Sequence, residues 1–508
     1  MARNRNTIPP GGPTYYAHGD PVLAAPSTRL LEFLVRLQHD KLAADLAQCA
    51  TLALLDNLAC GLYGARQPWG RIVNDLVLSE QSRGKATLFG SRKGVAPVHA
   101  ALANGTSTHG IEFDDIILGT LTHPGAVVVP AALAVAEQNG VSGERLLLGL
   151  VTGYEMMARL GLALGAEHNN RGFHTTGIAG TVAATVAAGT VMNFDVETLC
   201  SAVGIACSSS SGIKAFTQGT GGMVKRMHAG HAAEAGVLAC ELARRGFTGP
   251  MQGIDGRFGL LEVISGSDGH PEHLDADLGA SPAITRIWVK VYPCCGFIHS
   301  TAHALEALRS EHHLMPDQIK QVRVHTNQHA VEHNGEPDPR DTMGAQYSIP
   351  FCAGVALAAD PRDPGAYAED RLWDPQVRAV TARTKLGVDK HMNDIYPAHN
   401  GARVEVDLHD GRTFDATVID PVGTPAEPCT AHDVENKFRT LAGAVKARGA
   451  VERIIAAVHD LRSAPTLNTL SRELRAGDRR QARRGEVPAK HDAEGQVVIW
   501  RDRAASLT

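Results

Sequence analysis

One stretch of the sequence concentrates acidic and imidazole side chains between two apolar segments. Residues 105–130 read GTSTHGIEFDDIILGTLTHPGAVVVP, and their ionisable side chains are those of His109, Glu112, Asp114, Asp115 and His123. Histidine is the natural general base near neutral pH, because its reference pKa is about 6.5. Polar groups on a loop held by rigid helices commonly form a functional site, and residues 116–122 lack a helical capping pattern. We therefore interpret this stretch as a candidate site for proton transfer.

Three further stretches carry imidazoles or cations beside glycines or helix starts. The stretch RGFHTTG places His174 and Thr175 where an Ala/Gly-rich helix is expected to begin. The free N–H groups and positive dipole end of such a helix favour a carboxylate. The other two stretches are GTGGMVKRMHAGH, with Lys225 and His228, and WVKVYPCC, with Lys290. Bases and fixed positive charges are the groups that proton removal beside a carboxylate requires.

Other reactive side chains are interpreted as structural. A single histidine in an Ala-rich helix is more often structural than catalytic, which applies to His109 and His231. Cys295 is interpreted as a small buried residue rather than a nucleophile. The nine cysteines are scattered, which argues against a disulfide framework. No cysteine or histidine spacing is typical of an iron–sulfur or zinc site, so no metal is expected.

Helical periodicity dominates the chain from Thr28 to about residue 265, where Ala, Gly and Leu are abundant and aromatics few. Residues 42–62 are apolar almost all round, so this helix must be buried in a larger bundle. Strands are predicted for residues 284–291 and 321–325 by β-branched content. Residues 403–408 alternate between apolar and charged side chains, and the Asp410-Gly411 turn that follows predicts a hairpin.

Helical signals return at residues 431–448 and 452–462, which predicts that the α+β region is an insertion into the helical domain. The predicted divisions are an irregular leader (1–26), the first part of the helical domain (27–279), the α+β domain (280–424), the second part of the helical domain (425–465) and an Arg-rich C-terminal tail (466–508). The tail is interpreted as solvated. The alternative is an arm that docks on another subunit through residues 496–500.

Bulk properties limit the classes of partner. The chain has 508 residues and a net charge of −5, so it presents no global basic field for nucleic acid or anionic lipid. The N-terminus lacks the apolar stretch of a signal peptide, and no apolar run is expected to approach the roughly 20 residues that cross a bilayer. We therefore expect a cytoplasmic protein that binds neither nucleic acid nor membrane.

The ordered motifs resemble one known family. GTSTHGIEFDD followed by THPGA, GFHTTGIAGT, KRMHAGHAAEAG, KVYPCC and AQYSIPF are similar, in this order, to segments of MmgE/PrpD proteins. The resemblance spans roughly residues 28–465. It implies a mainly α helical domain built from both ends of the chain, an inserted smaller α+β lid domain, and a homodimer. It also implies an active site between the domains that needs neither metal nor organic cofactor.

The same resemblance implies roles for single residues. It makes His123 or His174 the base and Lys225 and Lys290 clamps for substrate carboxylates. Asp114 and Asp115 then orient the histidines or fix the loop. Glu112, His228 and Thr175 complete the predicted substrate-binding set.

The choice among reactions stays open at the level of sequence. Glu112, Ile116 and Cys295 depart from the residues of cis-aconitate decarboxylases, which places a 2-methylcitrate dehydratase-like hydro-lyase first. An epimerase or isomerase of a substituted succinate uses the same proton abstraction, and a decarboxylase is the third reaction. A noncatalytic ligand-binding or assembly homologue is the alternative of another class. The substrate class in every enzymatic case is a small di- or tricarboxylate.

Overall fold

Helices make up most of the chain, as its periodicity predicts. The computed structural model describes residues 25–120, 122–217 and 221–476. Over these ranges the first twelve helices are α1 (Pro26–Arg36), α2 (Ala44–Gly64), α3 (Pro68–Ser79), α4 (Pro97–His109), α5 (Gly125–Asn139), α6 (Gly143–Ala163), α7 (Glu167–Asn170), α8 (Thr175–Val191), α9 (Val196–Cys207), α10 (Met223–Ala243), α11 (Leu260–Ser265) and α12 (Glu272–Asp275). Four two-residue strands accompany them: β1 (Ala86–Thr87), β2 (Gly94–Val95), β3 (Ile116–Ile117) and β4 (Ile287–Trp288).

The central helices are joined by short turns whose residues suit the backbone. Helix α5 ends at Gly140, which adopts a left-handed φ of 66° that glycine accommodates without steric cost. Two residues later the Ser142 side chain accepts a hydrogen bond from the Arg145 N–H and so caps α6. Helix α8 is buried along its whole length. It therefore forms the centre of the bundle that α5, α6, α9 and α10 surround.

A close crossing of α4 and α10 sets the position of the candidate site. A Cβ at Gly105 in α4 would lie 2.7 Å from the Cα of Gly230 in α10. Only glycine permits this approach of two backbones. The crossing brings His109, at the end of α4, beside the first turns of α10, where Lys225 and His228 lie.

Two helices are longer and more apolar than we expected. Helices α2 and α6 each have 21 residues and are apolar enough to span a bilayer by length and composition. Inside the protein, 72% of the apolar window of α2 and 94% of that of α6 are buried. The expectation that no apolar run approaches 20 residues was therefore wrong, and both segments are core helices of the bundle.

The middle of the chain forms a four-stranded sheet with its own helices. Its helices are α13 (His299–His312), α14 (Gln328–His333), α15 (Thr342–Gln346), α16 (Ile349–Ala358), α17 (Pro375–Ala382) and α18 (Lys390–Ile395), and its strands are β5 (Ile319–Thr326), β6 (Thr384–Val388), β7 (Ala402–Leu408) and β8 (Thr413–Val418). The strand order is β6-β5-β7-β8, with β5 and β6 parallel and the other pairs antiparallel. Alternation in β7 buries Val404, Val406 and Leu408, as the sequence pattern predicts. The strand predicted at residues 284–291 is only Ile287–Trp288, because a 3₁₀ turn occupies the preceding four residues.

The buried apolar side chains form two large clusters. One contains residues between Leu30 and Val289 and again between Val434 and Leu474, whereas the other contains residues between Tyr292 and Leu408. The clusters therefore separate just after β4, close to the division that the composition predicts.

The last described helices pack on the first part of the chain. They are α19 (Ala431–Val445), α20 (Arg448–His459) and α21 (Asn468–Arg475), and α19 lies against α2 with Phe438 fully buried. Helix α21 begins inside the segment that we interpreted as a solvated tail, and it buries Leu470 and Leu474. That interpretation is therefore wrong for residues 468–475. The remainder of the tail, with the predicted arm at 496–500, and leader residues 1–24 lie outside the described residues.

Candidate active site

The loop after α4 carries the acidic residues of the site. At its start, Glu112 has a left-handed φ of 54°, which costs a non-glycine residue about 1–3 kcal/mol and is typical of functional positions. The loop continues into β3, where Ile116 pairs with Trp288 of β4. This pairing brings Lys290 back to Glu112, and its Nζ lies 3.1 Å from the Glu112 carbonyl oxygen and 3.4 Å from Oε2.

Asp114 lies between two histidines. Its Oδ2 is 2.7 Å from Nδ1 of His109 and 3.4 Å from Nδ1 of His123. The Nδ1 of His123 is also 3.0 Å from the Asp115 carbonyl oxygen. A carbonyl oxygen only accepts hydrogen bonds, so Nδ1 of His123 carries the proton and donates it. In the neutral ring the lone pair is therefore on Nε2, which is the atom that can act as a base.

The Asp115 carboxylate faces away from the histidines. It accepts hydrogen bonds from the Gly125 N–H at 2.9 Å and from the Tyr154 hydroxyl at 2.5 Å. Burial, reinforced by the nearby Asp56, raises the pKa of Asp115 to about 7. The side chain of Asp115 therefore contacts the start of α5, and its carbonyl group contacts His123.

A second pair of imidazoles lies beside the first. His174 immediately precedes α8, and its Nδ1 is 3.0 Å from Nδ1 of His228 in α10. Phe216 packs edge-on against both rings, with centroid distances of 5.4 and 5.7 Å. Thr175 does not join this pair, because its hydroxyl is bonded to Nε2 of His168 at 2.8 Å and is fully buried. The structure thus gives Thr175 a partner other than substrate.

The four imidazoles form a buried row. The His109 ring lies 5.0 Å from that of His123 and 5.9 Å from that of His174. Burial lowers the pKa of His109, His123 and His174 well below the usual 6.5, and lowers that of His228 to about 4. The row is therefore uncharged at neutral pH, which keeps the base form available.

Lys225 and Lys290 both contact the carboxylate of Glu112. Lys225 forms an ion pair with Glu112, and Glu112 Oε2 lies 3.4 Å from both Lys290 Nζ and the Tyr347 hydroxyl. Burial and the charge of Lys290 lower the pKa of Lys225 well below its usual range. The side chains of Lys225 and Lys290 are 3% and 0% exposed. The two lysines therefore converge on one acidic group, and access to them is closed in this structure.

The sequence matches a known family over most of its length. One family model, the MmgE/PrpD N-terminal domain, matches residues 28–272, and another, the MmgE/PrpD C-terminal domain, matches residues 292–463. This chain belongs to the MmgE/PrpD family.

Curated relatives of this MmgE/PrpD protein are more than one quarter identical to it over the aligned residues. A "cis-aconitate decarboxylase-like protein oryM" from Aspergillus oryzae is 29% identical over 475 residues, covering 87% of this chain and 96% of the relative. A cis-aconitate decarboxylase from Aspergillus terreus is 28% identical, covering 84% and 91% of the two chains. The cis-aconitate decarboxylase of Homo sapiens is 27% identical, covering 82% and 88%.

The positions where this MmgE/PrpD chain departs from the expected motif lie around the lysines. Glu112 contacts both lysines, and Ile116 pairs with Trp288 of β4, two residues before Lys290. Burial raises the pKa of the Cys295 thiol, against the opposing effect of Lys290, so the thiol stays protonated at neutral pH. These departures therefore change the lysine end of the site rather than the histidine row.

One group of site atoms has the spacing of metal ligands. The ligand atoms of His109, Asp114 and His123 lie within 4.8 Å of one another. However, both Nδ1 atoms donate hydrogen bonds, to Asp114 from His109 and to the Asp115 carbonyl from His123. A metal needs a lone pair where these atoms carry protons. At the Nδ1 atoms, the arrangement therefore fits a hydrogen-bonded cluster better than a metal centre.

Sequence reasoning missed several residues that shape the site. His109 was interpreted as structural, and Tyr154 was not considered. Tyr347 lies within AQYSIPF, so the motif contained it without indicating a role. Lys437 Nζ is 2.7 Å from Asp56 Oδ1, 2.6 Å from the Phe113 carbonyl oxygen and 3.0 Å from that of Lys290. This lysine ties the acidic loop to the segment after β4, and no local pattern predicts a contact between positions so far apart in sequence.

Proposed function

We propose that this protein is a cofactor-independent lyase that acts on a small tricarboxylate by moving a proton at a carbon beside a carboxylate. The observation that carries this proposal is the orientation of His123. Its Nδ1–H is bonded to a carbonyl oxygen, which leaves Nε2 free as a base or, when protonated, as an acid. Lys290 supplies positive charge that such a substrate requires, and Lys225 beside it supplies hydrogen-bond donors.

The same groups suit two lyase reactions. In decarboxylation, the C–C bond to one carboxylate breaks, CO₂ leaves, and the electron pair passes to a carbon that takes a proton from a site acid. In dehydration, a base removes the proton from carbon, the pair forms the double bond, and hydroxide leaves as water with a proton from a second group. For decarboxylation we assign the proton that the carbon receives to His123, whose Nε2 first takes it from solvent. For dehydration we assign removal of the carbon-bound proton to His123 and donation of the second proton to the hydrogen-bonded pair of His174 and His228.

Decarboxylation of a cis-aconitate-like acid is the first candidate. It is favoured by the relatives, because three proteins named for this activity align with more than four fifths of the chain. Dehydration, which the sequence departures placed first, is the second candidate. The separate His174–His228 pair favours it, because loss of hydroxide needs an acid apart from the base. Epimerisation of a substituted succinate is the third candidate, in which a proton returns to the opposite face of the same carbon.

The burial of the two lysines supports a lid that moves to admit substrate. The side chain of His123 is 14% exposed, whereas both lysines are almost fully covered. A polycarboxylate therefore reaches them only if the segment after β4, with the four-stranded sheet, moves away from the helical bundle. We accordingly propose that residues 280–424 are the lid. We also propose the homodimer that the resemblance implies and the cytoplasmic location that the bulk properties of the sequence indicate.

The experiment is a substrate panel with three distinct readouts. Purified protein is incubated with cis-aconitate, citrate, 2-methylcitrate and substituted succinates. Released CO₂ identifies a decarboxylase, a new absorbance of a conjugated double bond identifies a dehydratase, and solvent deuterium in recovered substrate without product identifies an epimerase. The His123→Gln variant is the inactive control, and His231→Gln, at a half-exposed surface position, is the matched histidine control. Failure of every acid to react would refute the proposed function.

A further inference from the structure

His109 occupies an unusual place for a histidine that does not reach the surface. It ends α4, its side chain is fully buried, and its Nδ1 lies 2.7 Å from Asp114 Oδ2. Since a carboxylate accepts, the Nδ1–H donates this bond. Its Nε2 has no hydrogen-bond partner among the described residues. The bond to Asp114 is therefore the one directed polar contact that the structure records for this ring.

The carboxylate that His109 holds is shared with the reactive imidazole. Asp114 Oδ2, the same atom, lies 3.4 Å from Nδ1 of His123, and Asp114 Oδ1 has no partner among the described residues. The carboxylate thus has one short hydrogen bond that fixes it and one longer contact with His123. A fixed carboxylate behind an imidazole holds the ring's orientation and stabilises its protonated form, as in catalytic triads.

We propose that His109 is a positioning residue, whose Nδ1–H holds the Asp114 carboxylate against His123 during proton transfer. The inference rests on the proposed function. His109 itself does not contact substrate, because its ring is fully covered between His123 and His174. Its helix packs closely on α10, since a Cβ at Gly105 would lie 2.7 Å from the Cα of Gly230.

Two substitutions of His109 separate positioning from packing. In His109→Asn the side-chain amide N–H lies near the place of Nδ1 and restores the donor to Asp114, whereas in His109→Gln it lies near the place of Nε2 and does not. We expect His109→Gln to lower kcat about 100-fold, the cost of an ångström-scale misplacement, with KM within about twofold of wild type. His109→Asn recovers at least about tenfold of that loss. His231→Gln leaves both constants unchanged.

A spectroscopic measurement tests the hydrogen bond without substrate. In protein labelled with ¹⁵N-histidine, the wild type and His123→Gln should show a strongly downfield Nδ1–H resonance that is absent from His109→Gln and Asp114→Asn. Equal kcat in the Asn and Gln variants, or a resonance that persists in His109→Gln, would overturn the proposal. If no acid of the panel reacts, the proposed function fails and positioning fails with it. The resonance still decides separately whether the bond itself exists.

Discussion

Acid should destabilise this protein through its buried histidines. In the unfolded chain a histidine has a pKa of about 6.5, whereas burial lowers the pKa of His109, His123 and His174 well below 6.5 in the folded chain. Below pH 6.5 the unfolded state therefore binds protons that the folded state does not, so the free energy of unfolding falls as pH falls. Between pH 6.5 and 5.5 each such histidine costs about 1 kcal/mol, or about 3 kcal/mol for the three.

Asp115 has the opposite effect on stability when the pH falls. Its folded pKa of about 7 lies above the ordinary carboxyl value, so below pH 7 the folded state binds a proton that the unfolded state lacks. Stability from this group rises as pH falls, by about 1 kcal/mol over the same interval. The four groups together therefore predict a net loss of about 2 kcal/mol.

The assay compares urea unfolding at pH 6.5 and 5.5 in wild type and in His109→Asn. The variant lacks one buried histidine, so its loss on acidification should be smaller by about 1 kcal/mol. His231→Asn is the control, because His231 is half-exposed and its hydrogen bond to Glu234 raises its pKa. Removing it cannot reduce the acid loss. The same pH dependence in wild type and His109→Asn would refute the assignment of a buried neutral histidine at position 109.

Three shorter predictions concern the cations, the metal and the last helix. Lys290→Met should raise KM at least about tenfold, because it removes one charge-assisted hydrogen bond to substrate. Lys385→Met, at an exposed position, should leave KM unchanged. An unchanged KM in Lys290→Met would show that Lys290 does not bind substrate. Treatment with EDTA should leave the rate within about twofold, and a loss restored by one metal would contradict metal independence. Leu474→Ala should lower the free energy of unfolding by about 2–5 kcal/mol. Thr469→Ala, at an exposed position of the same helix, should lower it by less than about 0.5 kcal/mol. Equal effects would contradict the docking of α21.

The parts of the fold with local signals were predictable from the sequence. The β7–β8 hairpin follows from alternation and the Asp410-Gly411 turn, and the structure pairs Val406 with Phe414 across it. The α8 helix follows from its Ala/Gly-rich run after the loop. The parallel strand β6 was not predicted, because its residues TKLGV neither alternate nor precede a turn signal, and its partner β5 is about 60 residues away.

Site residues were predictable where a motif contained a reactive side chain and were missed where the role depends on geometry. The His123 and Lys225 positions stood out by residue type. The proposed role of His109 depends on its contact with Asp114, five residues further along the chain and beyond the end of α4. Neither the helical nor the strand repeat predicts a contact at this spacing. Likewise Lys437 and Asp56 meet only because α19 returns to pack on α2.

The most direct test of the central claim follows solvent hydrogen into the product. The panel acid with the highest rate is converted in D₂O by wild type and by His123→Gln, and the product is examined by NMR and mass spectrometry. For decarboxylation, our account predicts one deuterium per product molecule at the carbon beside a carboxylate. It also predicts a rate at least about 100-fold lower in the variant, at an unchanged melting temperature. A product without solvent hydrogen, or a wild-type rate in His123→Gln, would contradict proton transfer by this histidine.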